Sequence, residues 1–203
     1  MKRSGKSRDE NEIEFARIVA FSDGVFAIAI TLLILAVSVP AHLPAGESFT
    51  EALWGQHDAL TAYALSFAVI GRFWVLHHRF FSEVTRFDGK LMGLNLFYLA
   101  WIVLLPFSTE VIGNHGDEVG AVVLYALNLA GTVLVGLWMT TDAHRAGLAT
   151  GDRETERESM RKSLGIAAVF LVSIPVAFLS TTAAELCWLY LFIQPRIARL
   201  VRG

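Results

Sequence analysis

Charge is scarce in this sequence, and cysteine is nearly absent. Of 203 residues only 18% are charged and 54% are hydrophobic, with a mean hydropathy of +0.51. A soluble domain of this length carries more charge and shorter apolar runs. The single cysteine, Cys187, excludes an intrachain disulfide framework and, lying among apolar residues, reads as buried filler. There is no P-loop, no dinucleotide glycine motif, no zinc-ligand spacing and no nucleophile–base pair, so neither an enzyme nor a cofactor is expected. The adjacent His77 and His78 point about 100° apart on a helix and cannot easily share one metal. His42, His57 and His115 belong to the opposite side of the chain's layout, and His144 is isolated, so no resident metal is expected. The formal net charge of -2 carries no signal for a nucleic-acid partner.

What the chain has in quantity is long apolar runs. A membrane helix needs about 20 mostly apolar residues. Six stretches qualify: residues 18–39, 59–81, 91–112, 119–141, 164–179 and 183–200. The first is not read as a signal peptide, because its apolar part is too long and Asp9, Glu10, Glu12 and Glu14 precede it. The last two are short and flank Ser180-Thr181-Thr182, so they are expected to form a hairpin. The expectation is an all-α, polytopic membrane protein of one domain, 1–203, with six spans and a cytoplasmic tail at 1–16. No internal repeat is visible, which gives an inverted-repeat transporter no support.

Lysine and arginine orient the spans. All 17 fall in the N-terminal tail and start of the first span, the end of the second span and the loop after it, the loop between the fourth and fifth spans, or the C-terminal end. Loops 40–58, 113–118 and 180–182 hold none. Cytoplasmic loops carry the excess of Lys and Arg. The partition is complete only for six spans with both termini cytoplasmic. The outer loops carry Glu47, Glu51, Asp58, Asp117 and Glu118, which read equally as a mildly cation-favouring mouth or as solvated loop carboxylates. Within 40–58, "SFTEALWG" reads as a short amphipathic helix with Phe49, Leu53 and Trp54 at the interface. The segment "TGDRETERESMRKS" reads as a solvated helical extension.

The first span has two faces. At about 100° per residue with Asp23 at zero, Ile28, Leu32, Leu35, Val39 and Phe21 fall between about 120° and 180°, with Arg17 at about 120° and Ser22 near 260°. The apolar stripe therefore points away from Asp23. An intramembrane carboxylate normally faces protein or water and finds a partner. The second span ends in "GRFWVLHHRFF" and Asn95 lies one turn into the third, both at the depth of Ser22 and Asp23. Ser22, Asp23, His77 or His78, and Asn95 are read as a polar clasp bracing the first span against the next two. A proton or ion site, and residues that do not join at all, are the competing readings. Spacing alone reads Ile28, Leu32 and Leu35 as a packing face. Trp74, Trp101, Trp138 and Trp188 read as packing residues or interface anchors.

The stretches "RIVAFSD", "FWVLHHRFF" and "LNLFYLAWIVLLPFSTEVIG", together with the six-span layout, resemble the prokaryotic branch of the transmembrane protein 175 family, a lysosomal potassium channel family. The resemblance is close over the first three spans and rests on hydropathy and spacing beyond them. It implies a passive potassium channel in the cytoplasmic membrane, a homotetramer around a central pore, with other copies, the lipid bilayer and potassium ions as its partners. In the family the first helix lines the pore and its bulky apolar side chains form the constriction. By offset from the signature those are Ile28, Leu32 and Leu35 here, with Thr31 bordering them. With Arg17 and Phe21 of the signature, the clasp set is Arg17, Phe21, Ser22, Asp23, His77, His78 and Asn95. No T-V-G-Y-G filter is present, so modest selectivity is expected. Arg17, on the pore side, either pairs with an acid such as Glu14 or one on a neighbouring chain, or the helix rotates there. A proton-coupled secondary transporter using Asp23 and His77 is the alternative.

Overall fold

In the computed structural model, residues 3–37, 43, 46 and 48–188 are described, apart from the side chains of 3–12 and 153. Val39, most of 40–47 and the expected sixth span beyond residue 188 lie outside this description. The described chain is helical apart from one isolated bridge: α1 (Arg3–Leu32), a 3-10 turn (Leu33–Ala36), α2 (Phe49–Trp54), α3 (His57–Glu83), α4 (Gly89–His115), α5 (Val119–Arg145) and α6 (Arg153–Ala177). A further helical stretch covers 181–188. Among the described residues, five helices are long and apolar enough to cross a membrane.

α4 and α5 form the middle of the bundle. α5 packs on α4 and on α6, while α4 also meets α3 and α1. Small residues let these helices approach, as is usual where apolar helices pack without a hydrophobic drive between them. The ring of Trp101 lies against the backbone of Gly131, where any Cβ would overlap it, and a Cβ on Gly136 would stand 3.0 Å from the Tyr98 ring. Polar side chains bond across the helices: Thr109 donates to Ser66 Oγ at 2.8 Å, Ser66 and Tyr125 share a 2.8 Å bond, and Asn128 Nδ2 donates to Ser108 Oγ at 3.0 Å. After α6 the chain turns back, and Trp188 Nε1 donates to Ser173 Oγ at 2.8 Å. Cys187 is half-buried, with its Sγ on its own helix's Ala183 carbonyl.

The two ends of the bundle differ in how they are tied. At one end the α3–α4 and α5–α6 connections are joined: Val84 bridges Ala149, Thr85 N–H donates to the Leu148 carbonyl at 2.8 Å, and Thr150 N–H donates to the Glu83 carbonyl at 2.8 Å. Lys90 pairs with Asp142 across the same joint. Local sequence makes this possible. Asp88 caps α4 by accepting from Leu91 N–H at 2.8 Å. α5 stops in a left-handed Gly147 (φ 67°), with Leu148 N–H returning to the Ala143 carbonyl at 2.9 Å. This end carries Arg86, Lys90 and Arg145. At the other end a Cβ on Gly113 would meet the Ala59 backbone at 3.2 Å, and one on Gly116 would meet Glu185 Oε1 at 3.3 Å. Among the described residues the contacts there are close, and no ion pair joins separate helices at that end.

Candidate functional site

Among its described side chains, α1 packs through one face. Phe26, Ala29 and Leu33 are buried in the main core, and Ser22 beside them is 0% exposed. On the opposite side Phe21 (56%), Ile28 (60%), Leu32 (41%) and Leu35 (71%) meet nothing that covers them. α-helical geometry ends at Leu32, and Leu33–Ala36 continue as a 3-10 turn. In 3-10 geometry residues three apart eclipse one another. Leu35 is thereby brought close to the line of Leu32, where a plain α-helical projection sets them about 60° apart. Thr31 is also exposed, and its hydroxyl proton is engaged by its own helix, donating to the Ile28 carbonyl at 2.9 Å.

Behind this face lies a continuous relay of hydrogen bonds. Ser22 Oγ donates to the Ile18 carbonyl at 2.9 Å, Asn95 Nδ2 donates to Ser22 Oγ at 2.9 Å, and His77 Nε2 meets Asn95 Oδ1 at 2.8 Å. The amide oxygen can only accept, so His77 holds its proton on Nε2. Ser22, His77 and Asn95 are all buried. The His77 ring is packed by Phe81 (4.5 Å between centroids), Phe26 (5.3 Å) and Tyr98 (5.7 Å). The relay is thus dry and joins α1, α4 and α3 in that order.

Asp23 takes a different partner. Trp74 Nε1 donates to Asp23 Oδ1 at 2.9 Å, and Trp74 in turn stacks on His78 with centroids 5.7 Å apart. Neither histidine is hydrogen-bonded to Asp23, so the expected carboxylate–histidine contact is replaced by an indole. An indole N–H needs an acceptor wherever its apolar body is packed. The spacing of Trp74 from His77 and His78, three and four residues, puts all three near one face of α3. That spacing was the available signal, and counting the tryptophans as packing residues passed over it. Arg17 and Phe21 are exposed and take no part in the relay; Arg17 meets no acid, Glu14 included, among the described side chains. No group of three or more His, Cys, Asp or Glu able to hold a metal occurs among the described residues.

The site can brace a helix and leave its apolar edge free. It offers no nucleophile beside a base. Residues 17–106, which span α1 to the middle of α4, match the model of the family described as endosomal/lysosomal potassium channel TMEM175. A potassium channel of Streptomyces collinus is 48% identical over 106 residues, 52% of this chain and 50% of that protein. The endosomal/lysosomal proton channel TMEM175 of Gallus gallus is 40% identical over 110 residues, 50% of this chain and 22% of that protein. The chain thus spans half the length of the Streptomyces relative and about a fifth of the avian one. The crystal structure of a lysosomal potassium-selective channel TMEM175 homolog from Chamaesiphon minutus superposes with a TM-score of 0.79 at 29% identity, over 88% of this chain and 95% of that one.

Proposed function

The chain belongs to the TMEM175 family, and from that premise we propose that it is a potassium channel of the cell membrane, four copies of which surround a pore lined by α1. Each copy crosses the bilayer six times with both termini cytoplasmic. The observation that carries this reading is the one-sided packing of α1: its Ser22, Phe26, Ala29 and Leu33 edge is buried while Ile28, Leu32 and Leu35 stand uncovered in a single chain. A fourfold assembly that turns those uncovered residues to its axis gives three apolar rings. Narrow apolar rings dewet, and an ion passing them must shed or squeeze its water. Potassium gives up water more readily than sodium, so the barrier favours potassium. No carbonyl cage contributes, so discrimination is modest. Potassium is the permeant ion, and no cofactor is needed for passive conduction.

The clasp serves this function by holding rotation. Turning α1 by one residue would unmake the Asn95–Ser22 and Trp74–Asp23 bonds together. The transporter alternative, built on Asp23 and His77, lacks comparable support, because the two side chains take separate partners. The test is electrical. In liposomes the protein should carry potassium down its gradient, and Ile28→Asn should raise conductance and admit more sodium. Wild-type conductance and selectivity in both Ile28→Asn and Leu35→Asn would remove α1 from the pore. Saturating, strongly pH-dependent transport that Asp23→Asn abolishes would favour the transporter.

A further inference from the structure

The basic end of α1 is held to the bundle by rings. Phe15 stacks between Phe81, near the end of α3, and Phe87, on the α3–α4 connection, with centroids 6.1 and 5.8 Å apart and planes inclined by 27° and 24°. Phe81 continues the stack to His77, and the His77 ring meets Phe26 of α1 at a tilt of 59°. Phe15 and Phe26 lie about 16 Å apart along the helix axis. α1 is therefore gripped by rings at two levels, with the Ser22–Asn95 bond between them. Phe87 belongs to the connection that is bonded to the α5–α6 connection through Thr85, Leu148, Glu83 and Thr150. The opposite side of α1 at this level, Ile13, Arg17 and Ala20, is exposed. The described contacts on this stretch therefore come from one side.

We propose that Phe87 and Phe15, closed on Phe81, form a positioning clamp that sets the width of the channel's basic mouth by fixing the end of α1 against the joined connections. The proposal rests on α1 being the pore helix. Releasing the clamp lets the segment before Ser22 pivot about the Ser22–Asn95 bond. The constriction lies beyond that pivot, where Phe26, Ala29 and Leu33 stay buried in the core. Flux should therefore change without a change in ion preference.

The experiment uses the full chain in liposomes, wild type beside Phe15→Ala, Phe87→Ala and Phe87→Tyr. Potassium flux and the sodium-to-potassium ratio are read together with the distance between spin labels at Ile13→Cys and Met92→Cys in a Cys187→Ser background. Both alanine variants should broaden that distance and change flux by about two- to tenfold, the range expected from losing a stacked aromatic pair. The ratio should stay at its wild-type value, and Phe87→Tyr should restore distance and flux. An unchanged label distance and flux in both alanine variants overturns the clamp, as does a selectivity ratio that moves with the flux. Ile28→Asn in the same liposomes separates the two failures. If it leaves conduction and selectivity unaltered, the pore reading is at fault; an unmoved label distance beside an intact Ile28→Asn response faults the clamp alone.

Discussion

At the scale of single residues, Asn95 is the junction on which α1 depends. Its amide oxygen accepts a hydrogen bond from His77 Nε2–H, and its amide nitrogen donates one to Ser22 Oγ. Removing it leaves a buried imidazole N–H without an acceptor, which costs about 1–3 kcal/mol. Asn95→Ala should therefore lower the unfolding free energy in detergent by about that amount. A double-mutant cycle with Ser22→Ala should return a coupling of about 0.6 kcal/mol, typical of hydrogen bonds between membrane helices. A coupling indistinguishable from zero would mean that the bond does not hold α1.

At the scale of elements, α2 shows how a short helix is held by its first turn. Ser48 N–H and Ser48 Oγ both donate to Glu51 Oε2 at 2.8 Å, while Glu51 N–H donates back to Ser48 Oγ at 3.3 Å. The backbone N–H of Ser48, and after it the hydroxyl, hold the Glu51 carboxyl below the ordinary glutamate value of 4.5. A depressed folded-state value means that the cap contributes fully above the unfolded pKa and is lost as pH falls through the folded one. Amide-exchange protection over 49–54 should be level at neutral pH and decline at acid pH, below the ordinary glutamate range. Glu51→Gln should flatten that dependence. Protection that rises on acidification would contradict the assigned direction. α2 meanwhile leaves Phe49, Leu53 and Trp54 exposed on a segment without a single Lys or Arg.

At the scale of the whole molecule, the chain is a multi-pass membrane protein whose bundle has one cross-braced end and one close-packed end. The braced end carries the basic connections, which the proposed orientation turns to the cytoplasm. In a Cys187→Ser background, Ser159→Cys should be protected from an impermeant maleimide added to intact cells, and Asp117→Cys should react. The reverse pattern would invert the orientation and place the ring clamp at the outer mouth.

How much of this was legible without coordinates follows from which properties are local. Apolar run length, the one-sided placement of Lys and Arg and the division of α1 into a stripe and a polar edge are properties of position along the chain. A period of about 3.6 residues is enough to read them. Partner choice is not local. Trp74 reaches Asp23 across 51 residues and Asn95 reaches Ser22 across 73, and both depend on the depth and rotation at which α3 and α4 lie beside α1. Packing of Phe26, Ala29 and Leu33 decides that rotation, and it passes over His78 in favour of an indole. The 3-10 turn at Leu33–Ala36, the joint between Val84 and Ala149 and the seat of Phe15 between two rings have the same origin. The sequence by itself determined which residues belong in a bilayer and which edge of the first helix is apolar; only the tertiary structure decided which side chains hold that helix, because hydrogen bonds and ring contacts form where packing brings distant segments within reach.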